Sequence, residues 1–150
     1  MSEVAENNRL FSYPGIVEHH YRFCEWLLPK ISKFQRDQRH ILGVRLQNTA
    51  LDVLERLIDA SIADATVKHE SLCLAAQSLE HLRFHFRLAF STRMINSRSY
   101  EYGSGVLIET GRMIGGWLKS TDASGAEDGR AFRRKKRDTR RHEKTQTPVG

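Results

Sequence analysis

The sequence predicts an all-α protein: an antiparallel up-down-up-down four-helix bundle followed by a disordered basic C-terminal tail. Three observations carry this. Apolar residues recur at steps of three and four in four successive segments, the period of a helix with one buried face. Only three prolines interrupt the 150 residues. The links between segments are short, so neighbouring helices have little choice but to pack antiparallel, stripes inward. A chain of this length supports one domain with a core large enough to need no disulfides. The organisation read from it is a flexible leader at 1–14, a bundle domain at 15–120 and a basic tail at 121–150.

The leader ends at Tyr13-Pro14-Gly15. Ile16, Phe23, Leu27, Ile31 and Phe34 then share one face of a first helix. Pro29 lies within it, so a kink there or a break nearby is expected. The polar stretch Gln35-Arg36-Asp37-Gln38 leads into a second helix with the stripe Leu42, Leu46, Ala50, Val53, Leu57 and Ala60 or Ser61. A third helix starts near Thr66, a suitable N-cap residue. Its stripe is Leu72, Ala76, Leu79, Leu82 or His81, Phe86, and Ala89 or Phe90, running to about Met94. Asn96-Ser97-Arg98-Ser99 is turn chemistry, with Ser99 a candidate cap for the fourth helix. That helix carries Val106, Thr110, Met113, Ile114 and Trp117 and fades at Lys119-Ser120. Thr121-Asp122-Ala123-Ser124-Gly125 reads as a linker. Beyond it apolar residues nearly vanish, so the segment lacks the burial that would offset its ordering entropy.

The charge is unevenly placed. The chain has 24 basic and 18 acidic residues, a net charge of +6; residues 121–150 hold nine of the former and five of the latter. Within 130–144 the net charge is +7. A mildly positive body with a cationic arm is the pattern of a polyanion binder. The arm contains Arg133-Arg134-Lys135-Lys136-Arg137 and Arg140-Arg141, dense enough to draw phosphate by counterion release without reading sequence. With almost no aromatics it does not read as a base-stacking platform. A solubilising or targeting tail would look similar.

In the bundle, Arg83 and Arg87 lie one turn apart on the third helix, and Arg93, Arg98 and Arg112 could extend their patch. The guanidinium fork suits phosphate. The plainer alternative is a solvated face, with Glu80 neutralising Arg83. Gly111, Gly115 and Gly116 within six residues cost a helix about 1 kcal/mol each. Close helix packing or a subunit contact at Gly111 and Gly115 would compensate, with Trp117 as core or interface anchor.

Other classes are poorly supported. Cys24 and Cys73 sit in apolar-periodic stretches and read as buried free thiols in a reducing compartment. His81 with His85, or His69 with Cys73, has helical spacing for a shared metal but lacks a third ligand. No phosphate loop, nucleophile elbow or perturbed carboxylate pair is present. No catalytic residue, metal or cofactor is therefore expected. Glu3 and Glu6 with no apolar run argue against a signal peptide, and no stretch is long enough to span a bilayer. A cytoplasmic protein with no membrane partner follows.

Two stretches carry a resemblance: Leu82-Arg83-Phe84-His85-Phe86-Arg87-Leu88, and Leu107-Ile108-Glu109 followed by Gly111-Arg112, Gly115 and Trp117-Leu118. Lys33-Phe34, Arg39, Leu42-Gly43, Ala50-Leu51 and Leu54 add to it. Over about residues 16–119 the chain resembles the accessory variability determinant (Avd) proteins of diversity-generating retroelements. It is similar also to their relatives, the four-helix proteins encoded by intervening sequences in bacterial ribosomal RNA genes. The resemblance implies a non-catalytic subunit that assembles as a homopentamer, binds the element's reverse transcriptase and template-repeat RNA, and supports mutagenic retrohoming. It makes the third-helix arginines, here Arg83 and Arg87, binding candidates. The alternative is an intervening-sequence protein with a structural, RNA-associated role; a small ribonuclease or metal-dependent enzyme stands further off. Two features depart from the family pattern: a longer, more basic tail, and Gln35 where the family has a second proline after the first helix.

Overall fold

The computed structural model describes residues 14–143 and, within them, all side chains but those of 124, 126–129, 132 and 138–143. The leader, save Pro14, and residues 144–150 lie outside the described residues.

Helix α1 spans Gly15–Ile31 and buries Ile16, Val17, His20, Phe23, Cys24, Leu27 and Ile31. Pro29 sits in its last turn, and the helix ends two residues later, the nearby break that proline predicts. Phe34 is buried as expected, but from the link rather than the helix. Gln35 holds φ −53° and ψ 142°, with φ in the range to which a proline ring would restrict it. The turn is thus made without a proline at position 35.

Helix α2 starts with the single turn Arg36–Gln38, widens into a π-helical turn at Arg39–Gly43 and continues as Val44–Ile62. Its buried stripe is the one predicted, Leu42, Leu46, Ala50, Val53, Leu57 and Ala60. In the π turn Gly43 comes close to α1: a Cβ there would lie 3.0 Å from Ile31 Cγ2.

Helix α3 spans Ala65–Ser91. Its cap is Asp64, not Thr66: Asp64 Oδ1 accepts from the Val67 N–H at 3.2 Å. A carboxylate satisfies the orphan amide and also favours the positive end of the helix dipole. Leu72, Ala75, Leu79, Leu82, Phe86 and Ala89 are buried; Ala75 takes the place expected for Ala76, which is only partly buried, and His81 is exposed. The chain leaves α3 through Arg93 in the left-handed region, φ 62°.

Helix α4 begins at Ser97, capped by Asn96, whose Oδ1 accepts from the Ser99 N–H at 2.8 Å. The cap is one turn earlier than Ser99. Gly103, Leu107, Thr110 and Ile114 face the core. The helix does not fade at Lys119-Ser120. It runs through the expected linker and draws the segment read as a disordered tail into helix as far as Glu143.

The helices are antiparallel, because pairs that touch rise in number on one and fall on the other. Phe90 stacks on Tyr100, Leu79 faces Gly111 and His69 meets Thr121 between α3 and α4. Likewise His20 bonds to Ala50 and Ile31 abuts Gly43 between α1 and α2. His19 bonds to Val106, and Trp26 contacts Tyr102, between α1 and α4. Each helix therefore has two neighbours, α1–α2–α3–α4 and back to α1, the closed ring of an up-down-up-down bundle. Phe23 and Trp26 reach across the diagonal to the Phe86 ring, at 6.1 and 6.2 Å between centroids, and fill the centre. Among the described residues, no helix is long and apolar enough to cross a membrane.

Candidate nucleic-acid and partner interface

The α3–α4 seam leaves a groove of about 310 Å³ on the outside of the bundle. Arg83 and Arg87 line it from α3, with Phe84 between them, and Ser104 and Ile108 line it from α4. The two arginines come together because one helical turn separates them. Phe84 is 64% and Ile108 50% exposed, so the groove joins cationic groups to apolar wall. Such a surface suits a partner with both phosphate or carboxylate and apolar groups.

The guanidinium groups are not locked inside. Arg83 Nη1 is 2.8 Å from Glu80 Oε1, and Arg112 Nη1 is 2.6 Å from Glu109 Oε2. Both pairs are local and exposed, the kind worth under about 1 kcal/mol and readily exchanged for another anion. Arg112 follows Ile108 by one turn and so continues the groove's edge along α4. Arg93 and Arg98 do not line the groove; they stand exposed at the α3–α4 corner. Arg93 is there for the backbone as well, since it occupies the left-handed position that ends α3, where Met94 N–H donates to Ala89 O at 2.8 Å.

Gly111 and Gly115 do not admit a neighbouring backbone within the protomer. A Cβ on Gly111 would touch only Leu79 at 3.4 Å, an ordinary contact, and one on Gly115 would meet nothing within 4 Å. Trp117 is partly buried against the core. The glycine that close packing does require is Gly103, which periodicity did not single out. A Cβ there would run into the Phe86 ring and lie 3.2 Å from Trp26 Cη2. The signal in the sequence is a small residue amid the aromatics Tyr100, Tyr102, Phe86 and Trp26, visible only once the helices are paired.

Helix α4 reorganises the basic arm. Arg130, Arg133, Arg134 and Arg137 fall at i, i+3, i+4 and i+7 and line one shared furrow. Lys135 and Lys136 are exposed on other faces of the same turns. The side chains of Arg140 and Arg141 lie outside the described residues.

The histidines are otherwise engaged. His85 Nδ1 is 3.3 Å from Thr49 Oγ1, which points it toward α2 rather than to a metal shared with His81. Burial, and then the neighbouring His81 and Arg45, hold its pKa below the ordinary value. Among the described residues no three His, Cys, Asp or Glu side chains are grouped as a metal would need.

Seen beside known proteins, residues 16–121 match the model of the bAvd-like family. The chain belongs to the bAvd-like family. It is thus an Avd-type protein, of the accessory kind that accompanies diversity-generating retroelements. The match covers the bundle, both arginines of the groove and the fourth-helix glycines, and stops where the arginine-bearing end of α4 begins. That end therefore lies outside the matched residues. Neither the curated proteins nor the solved structures yield a match.

Proposed function

We propose that this chain is the non-catalytic accessory subunit of a diversity-generating retroelement, acting in the cytoplasm as a homopentamer on the element's reverse transcriptase and template-repeat RNA. The observation that carries this reading is the open α3–α4 groove with Arg83 and Arg87 on its rim, inside the family-matched bundle. The apolar wall formed by Phe84 and Ile108 suits a protein surface, and the arginines suit RNA phosphate or an acidic patch. The arginine face of α4 adds sequence-independent phosphate contacts, multiplied by avidity when several subunits assemble. Gly115, open within the protomer, leaves room on α4 for a second copy.

Co-purification with the reverse transcriptase encoded beside it, scored for bound RNA at moderate salt, tests the proposal. The intact chain is expected to retain both partners, and the Arg83→Ala, Arg87→Ala double variant to lose most of the polymerase while melting unchanged. Failure of the intact chain to retain either partner overturns the reading. The subunit count is read independently by light scattering, where a mass other than five chains removes the pentamer alone.

A further inference from the structure

Near the end of the bundle, where α4 passes the start of α3, four side chains meet that the family match does not explain. His69 Nε2 lies 3.7 Å from Cys73 Sγ, one turn along α3. The other ring nitrogen, His69 Nδ1, lies 3.2 Å from Thr121 Oγ1 and 3.4 Å from Asp122 Oδ1, both on α4. The tautomer follows from the partners. Thr121 Oγ1 already donates its proton to Leu118 O at 2.7 Å, so toward His69 it can only accept. Asp122 can only accept as well. In the neutral ring Nδ1 must therefore carry the hydrogen, which leaves Nε2 bare and turned toward the thiol. Cys73 is exposed, not buried as its apolar-periodic stretch suggests, because it lies on the outer side of α3, so small reagents reach it.

We propose that Cys73 is a thiol-exchange site, with His69 as its proton acceptor and Asp122 and Thr121 as positioning residues that fix the imidazole. The substrate class is a small disulfide. Cys73 passes its proton to His69 Nε2, and the thiolate attacks one sulfur of R–S–S–R. A Cys73–S–R bond forms as the R–S–S–R bond breaks. The leaving thiolate takes the proton back from His69 and departs as R–SH. Cys73 is oxidised to a mixed disulfide, one half of the reagent is reduced, and no further oxidant is required. The arrangement is not a metal site, because the carboxylate and the sulfur address opposite nitrogens of the ring.

The charges around the relay come from each element beside it. Asp122 reaches His69 from α4, Lys68 and Glu70 adjoin it along α3, Asp64 is committed to the α3 cap, and Asp59 near the end of α2 is paired with Arg56. Cys24 is an internal control. It is sealed in the core, its Sγ donates to Ala50 O at 3.6 Å, and burial pushes its thiol up to about 11.

The test treats the full chain with oxidised glutathione and reads intact mass, alongside rates with a chromogenic aromatic disulfide. One adduct is expected on the folded chain, at Cys73, and none on the Cys73→Ala variant. His69→Ala is expected to slow the neutral-pH rate at least about threefold, with the difference closing at strongly alkaline pH, where a thiol ionises unaided. Asp122→Asn is expected to slow it less, with the same pH dependence, which a merely structural role would not produce. All three side chains are exposed, and an unchanged circular-dichroism melt verifies folding. Equal neutral-pH rates for the chain and His69→Ala, or an adduct on Cys24 instead, overturn the proposal.

Discussion

The imidazole of His20 donates its Nε2–H to Ala50 O at 2.8 Å and keeps a bare Nδ1 sealed in the core with no partner. Burial first, with a smaller push from His19, lowers its pKa to about 4, against the counter-pull of the Ala50 carbonyl. Neutral His20 is thus what the fold accepts. In the unfolded chain it takes a proton near pH 6.5, so its stabilising effect is complete above that pH and is lost as pH falls toward 4. Denaturant melts at pH 7.5 and 4.5 should differ by about 2–3 kcal/mol from this group alone, and a His20→Gln variant should lose most of that difference. Glycines divide at the same scale. Gly103→Ala forces a methyl into the Phe86 ring and should cost about 1–3 kcal/mol. Gly116→Ala meets open space and should stabilise the helix by about 0.5–1 kcal/mol. Gly115→Ala should do the same in the protomer. A drop in assembly mass on that substitution would place a subunit contact at Gly115.

Among the elements, α4 departs furthest from its sequence expectation. Thr121 to Gly125 has linker composition, and Arg130, Arg133, Arg134 and Arg137 beyond it are exposed, yet no proline occurs between Ser97 and Glu143. Extending an existing helix costs no new nucleus, and arginine, lysine and alanine are good helix formers. His69 also engages α4 at Thr121 and Asp122, inside the supposed linker. The start of the helix rests on Asn96: Asn96→Ala should cost about 1 kcal/mol in thermal or denaturant melts, whereas Ser99→Ala should cost little.

At the scale of the molecule, the fold divides into a bundle that carries the core and an arginine-faced helix end that carries charge. Every buried apolar residue lies between Ile16 and Ile114 among those described. Removing residues 123–150 should therefore leave the melting transition of the bundle in place. RNA affinity should fall, and the slope of log affinity against log salt should flatten by roughly three, from loss of the four arginines on the furrow. An unaltered slope would assign RNA contact to the α3–α4 groove alone.

The four helices, the buried stripes of α1 and α2 and the shared outer face of Arg83 and Arg87 were legible in the sequence, because a repeat of three and four residues reports a buried face whatever it packs against; on α4 the face is rotated, with Gly103 and Leu107 buried beside Thr110 and Ile114 while Val106, Met113 and Trp117 are only partly so. Leu42 to Ala60 illustrates this: each predicted stripe residue is buried. What depends on contacts between segments was not legible. Gly103 matters through Phe86 and Trp26, His20 through Ala50, and the orientation of His69 through a threonine and a carboxylate some fifty residues away. Local spacing records how one helix turns; only the pairing of helices decides which of its atoms meet.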